Sequence, residues 1–244
     1  MASYRIPGPQ SGKGKLLSVD GTAESAWPPG TVGFIPQLKP MPRPRRSALL
    51  QRLLAQLSTK SPEIYETVRG RSPALIEAWG SLEAEFCDAY YQGWPAAQLS
   101  EICLEPAGAY IFDHDQERVC IAFGVAVPAP EKRDASRMQG FPNASATVKA
   151  ALKDEAFAAD KGHFMGHATG GGLDINLFPH RRDLNRPRSK QGKIFREMES
   201  YLWDSPGTFF FHRAIYDDDT WVPARLQFGI LRDDGWWMHV FNNK

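Results

Sequence analysis

Cysteine is scarce in this chain. Cys87, Cys103 and Cys120 are all there is in 244 residues, and no two of them form a C-x-x-C pair. The odd count and the spacing exclude a disulfide framework and a zinc ribbon, and reduced thiols are the expected state. Long apolar runs are missing as well. No stretch approaches the roughly 18 residues of a membrane span, so no membrane partner is expected. The opening MASYRIPGPQSGKGK lacks the apolar segment of a signal peptide, which predicts a protein made in the cytoplasm without a classical export signal. Charge of one sign is also lacking. The formal net charge is +1, so no global field draws the molecule to nucleic acid. GPQSGKGK has neither the spacing, the Ser or Thr, nor the preceding strand of a phosphate loop.

What is present is an ordinary globular composition, 42% hydrophobic and 23% charged, enough for a sizeable core in one large domain or two small ones. Residues 1–46 hold eight prolines and six glycines and end in PRPRR, which predicts an extended leader. Helical spacing then appears from Ser47, a suitable N-cap, to Leu57. It returns from Pro73 to about Gln92, where Leu75, Trp79, Leu82, Phe86 and Tyr90 form one stripe. A short helix is expected from Pro95 to Ile102, and residues 47–104 contain no catalytic set.

From Ala107 the pattern alternates. AYIFDHDQERVCIAFGVAV predicts a hairpin at about 109–113 and 118–126. Residues 128–150 read as a long loop with a short helix near Thr147–Leu152. Thr208 to Tyr216 reads as a strand, and Val222–Leu231 with Trp236–Phe241 as a hairpin around Asp233-Asp234-Gly235. Trp236, Trp237, Phe241, His212 and His239 are expected to be structural.

The stretch that can carry chemistry lies between these elements. Asp160-Lys161-Gly162-His163 is followed by NLFPHRRDLN, from Asn176 to Asn185, and then by the helix-like KIFREMESYLW with Glu199. Seven basic residues and one acid fall between Arg181 and Arg196, against six basic residues and twelve acids in the rest of 151–244. Such a cluster suits sequence-independent phosphate contacts, and it also suits a solvated face. His163 and His167 stand four apart, but no Glu follows His163 and Ala-Thr-Gly-Gly-Gly after His167 breaks a helix, which argues against a zinc-protease motif.

These pieces resemble the DNA/RNA non-specific endonucleases, a family of ββα-metal nucleases. That family shows a D-R-G-H box, then N-x-x-P-Q, an Asn about nine residues on, and an aromatic residue and a Glu on a helix. Here Lys161 stands at the Arg, His180 at the Gln and Phe195 at the aromatic position; Glu199 fits the pattern, with Glu197 as its competitor. The resemblance covers roughly 107–244 and is specific within 155–201.

The resemblance implies an α+β fold: a ββα-metal core on a mixed or antiparallel sheet in residues 107–244, preceded by a helical segment, 47–106, and the Pro/Gly-rich leader. It implies hydrolysis of phosphodiester bonds in DNA, RNA or both, with little sequence preference, using Mg²⁺ with Mn²⁺ able to substitute. His163 becomes the base that takes the water proton, since a neutral imidazole titrates near working pH. Asn185 becomes the one direct metal ligand, a hard uncharged oxygen of the kind Mg²⁺ accepts. Glu199 holds a metal-bound water, Asn176 orients the site by hydrogen bonds, and Lys161 with Arg181, Arg182, Arg186 and Arg188 holds the nucleic-acid backbone. An upstream phosphate-contacting Arg has two candidates, Arg133 and Arg137. By association, the resemblance points to a toxin effector exported by a specialised secretion system and restrained by an immunity protein. A decayed site that binds nucleic acid without cleaving it is the alternative expectation.

Overall fold

A computed structural model of the chain describes residues 48–104, 108–129, 144–154 and 156–244, apart from the side chains of 144–147 and 174. The leader, Ser47, Arg133 and Arg137 lie outside the described residues.

Three helices come first: α1 (Ala48–Lys60), α2 (Pro62–Arg69) and α3 (Ser72–Gly93). α1 buries Leu49, Leu50, Leu53, Leu54 and Leu57, which a 3.6-residue period places on one face. α3 has Pro in its first turn, where a missing N–H costs nothing, and buries Leu75, Trp79, Phe86 and Tyr90. α2, which the sequence pattern does not announce, buries just Ile64 and Val68. Next come β1 (Leu99–Leu104), β2 (Gly108–Asp113) and β3 (Arg118–Val125). β1 replaces much of the helix expected over Pro95–Ile102. Leu99 to Leu104 pair antiparallel with Asp113 to Gly108, and that pairing outweighs the weak local preference of LSEICL.

After α4 (Ala144–Leu152) comes a separate antiparallel hairpin, β4 (Ala159–His163) and β5 (Leu177–Arg181), followed by the four-residue α5 (Arg182–Asn185) and by α6 (Lys190–Asp204). β6 (Phe209–Ile215), β7 (Arg225–Arg232) and β8 (Gly235–Asn242) complete an antiparallel sheet in the order β1-β2-β3-β6-β7-β8. The fold is thus α+β around an antiparallel sheet.

Each face of the sheet has its own core, because successive strand residues point to opposite sides. On one face Trp79 of α3 meets Phe123, Phe209 and Phe211 at ring distances of 4.7, 5.2 and 5.2 Å. On the other, Tyr110, Phe210 and Phe228 pack with Phe164 and Phe178 from the hairpin region and with Phe195, Met198 and Leu202 of α6. The boundary expected at 107 therefore falls between two paired strands, and α1–α3 share a core with the strands beyond it.

One charged group lies deep under the helical layer. Glu83 of α3 is 1% exposed. Burial first, then the nearby Glu101, pushes its carboxyl up from the usual 4.5 to about 7. A raised acid holds its proton longer in the folded chain than in the unfolded one. Its stabilising effect is therefore complete below pH 4.5 and is lost as pH rises through 7. The loss is on the order of 3 kcal/mol. Glu83→Gln is expected to raise the urea midpoint over that of the parent more at pH 8 than at pH 5, a difference that isolates Glu83 from the other titrating groups.

Candidate active site

The β4–β5 hairpin pairs Asp160 with His180, Gly162 with Phe178 and His163 with Leu177. Glycine is required at 162, where a Cβ would stand 2.4 Å from the Cβ of His180. The loop leaving His163 is fastened by Asn176, which is fully buried. Its Oδ1 accepts from the Met165 N–H at 2.8 Å, and its Nδ2 donates to the carbonyls of Met165 and Gly172 at 2.7 and 2.8 Å. Both ends of the amide are used inside the protein, so Asn176 fixes the loop from behind and does not line the pocket.

Asp160 ties the hairpin to α5. It accepts from Arg186 at 2.7 and 3.0 Å, from Arg182 at 3.1 Å and from Asn185 Nδ2 at 3.3 Å. Burial would raise its pKa, but hydrogen bonds from Arg186, Asn185 and Arg182 outweigh burial and hold the carboxyl below its usual range. Asn185 gives one of its two amide N–H groups to Asp160, and its oxygen is the atom that could serve a metal ion.

Ser189 starts α6 by accepting the Gly192 N–H at 2.9 Å, as an N-cap should. Gly192 lets α6 close on α5, since a Cβ there would lie 2.5 Å from the Asp183 carbonyl. Phe195, Met198 and Leu202 turn into the core, while Arg196, Glu199, Ser200 and Trp203 turn to an open pocket of about 410 Å³.

That pocket brings together Lys161, His163, Asn185 and Glu199, four of the expected site residues. Glu197 is exposed and is not on its walls, which separates it from Glu199. Glu199 pairs with Arg196 at 2.8 Å, and Arg196 also donates to the Asn185 carbonyl at 3.3 Å. Burial raises the Glu199 pKa and the Arg196 charge opposes it. His167 lines the same pocket, and the buried His180 and His212 form its floor. Burial first of all pushes both floor histidines down to about 3, so they stay neutral through ordinary pH. His212 stacks on Phe228 at 4.0 Å, and His180 meets Phe195 edge-on at 4.9 Å.

The arginines after His180 are not a uniform cationic surface. Arg182 and Arg186 are drawn onto Asp160, and Arg181 pairs with Asp183 at 2.7 Å. Arg188 is exposed and has no ion pair among the described residues. None of the four lines the pocket. Asp160 carries no task in the sequence pattern, since nothing before it, Asp154-Glu155-Ala156-Phe157-Ala158-Ala159, announces that arginines twenty-two and twenty-six residues on will close on it. Arg196 counts in the sequence as one of the basic run and Trp203 has no place there, although both share a helix face with Glu199 by spacing.

Among the described residues no three of His, Cys, Asp and Glu converge as metal ligands. Beside its histidines, the pocket is lined by two oxygen donors, the Asn185 amide and the Glu199 carboxylate. These are hard ligands that fit Mg²⁺, an ion that keeps most of its waters and takes few protein ligands. No protein-family model matches the chain, and no curated protein matches it in sequence.

Proposed function

We propose that this protein is a metal-dependent endonuclease with little sequence preference, built on a ββα-metal core formed by β4, β5 and the helices that follow. One observation carries the reading: a hairpin and two helices deliver Lys161, His163, Asn185 and Glu199 to the walls of a single pocket. Asn185, and Glu199 through water, would hold Mg²⁺, which when bound supplies positive charge to the phosphoryl and leaving oxygens. His163 takes the proton from the attacking water. It is half-buried on the pocket wall, whereas His180 and His212 are buried in the floor. Lys161 binds the phosphate as a point charge. Asp160 keeps Asn185 in place, and Asn176 keeps the loop after His163 in place.

The test is digestion of plasmid DNA and total RNA with Mg²⁺ and with EDTA. Cleavage in Mg²⁺ alone is expected; its absence in both nucleic acids would end the enzymatic reading. Lys at 161, together with arginines committed to Asp160, favours a second reading in which the pocket binds without cutting. That reading requires retention of labelled nucleic acid with no loss of strand length.

Backbone contacts release counterions, so binding is expected to fall steeply between 50 and 200 mM salt. Arg188→Ala is expected to lower the slope of log affinity against log salt by about one, the share of a single phosphate contact. An unchanged slope would make Arg188 a solvated surface residue.

A further inference from the structure

Trp203 is 58% exposed, and its ring has no aromatic or cationic partner among the described residues. Core packing does not account for it, because Phe195, Met198 and Leu202 already form the buried stripe of α6. Trp203 instead continues the pocket-facing row of Arg196 and Glu199 and lies on the pocket's rim. At 1.5 Å per residue it stands about 6 Å along the helix from Glu199, one turn beyond the groups that would hold the phosphate. Lys161, Arg196 and Glu199 on the same walls sum to one positive charge, Arg196 being paired with Glu199. An aromatic face beside a cationic groove is the combination that binds single strands, charge for the backbone and ring for the base. A base inside a duplex is covered on both faces and cannot use such a ring.

We propose that Trp203 is a stacking subsite for an unpaired nucleobase next to the phosphate in the pocket, and that it makes single-stranded nucleic acid or frayed ends the preferred substrate. This rests on the nuclease reading of the pocket.

The full chain, in EDTA and low salt, is titrated by fluorescence anisotropy with a labelled single strand and with an abasic strand of equal length and charge. The parent protein is expected to bind the base-bearing strand about 10- to 100-fold more tightly, the range of one base–aromatic stack. Trp203→Ala is expected to erase that preference without changing affinity for the abasic strand, and Trp203→Phe to keep most of it. In Mg²⁺ the same variants are read by kcat/KM for single strand over duplex. Equal binding of both strands by the parent overturns the proposal, as does a preference that survives Trp203→Ala. A loss on both strands alike also overturns it, and marks Trp203 as a structural or protein-docking residue. A preference that depends on Trp203 with no cleavage in Mg²⁺ leaves the subsite standing and overturns the nuclease reading instead.

Discussion

His163→Ala is expected to lower the cleavage rate by about 10²–10⁴, the usual contribution of a positioned base, with the fold and metal binding kept. The side chain sits half-buried on a pocket wall at the end of β4, so its loss opens no cavity in either core. Asn185→Ala is expected to fail in a different way. That side chain both lines the pocket and donates to Asp160, so its removal is expected to weaken metal binding, with excess Mg²⁺ or Mn²⁺ restoring part of the activity. His167→Ala, on the same pocket, is expected to leave substantial activity. The measurement is cleavage against metal concentration for the three variants, with circular dichroism to confirm folding. Full activity in a folded His163→Ala protein would remove the mechanism.

The second large effect concerns stability. Trp79 is fully buried, with three phenylalanines of the sheet around it. Trp79→Ala is expected to cost about 3–5 kcal/mol, a large part of the 5–15 kcal/mol that holds a typical domain. Deleting everything before residue 108 goes further. It removes β1 from β2 and uncovers Ile111, Phe123, Phe209 and Phe211 together. Such a fragment is expected to be aggregated or loosely packed, with strong binding of a hydrophobic dye and no cooperative urea transition. A fragment that unfolds cooperatively and still cuts nucleic acid would show that the helical layer lies outside the folding unit.

Elements were legible where local pattern and tertiary role agree. α1, α3 and the β2–β3 hairpin follow directly from apolar periodicity, since one face or both are buried in the way the period demands. β1 was not legible, because LSEICL becomes a strand through its partner and not through its own preference. At the site, DKGH, Asn185 and Glu199 could be read in sequence order, and a shared pocket follows their order along a compact hairpin and helix. The destination of the arginines could not be read. Whether Arg182 and Arg186 face a phosphate or Asp160 depends on how α5 sits against β4, a packing decision that no local spacing records.

Alternation along β6 joins chemistry to architecture. Phe209 and Phe211 fill the helical side, while Phe210 and His212 belong to the pocket side. A slip of one residue would exchange these sets, thrusting an imidazole among the rings around Trp79 and a phenyl into the pocket floor. The helical layer therefore acts as a register lock for the pocket. The aromatic side of β6 must keep its bulk for the floor to stay in phase.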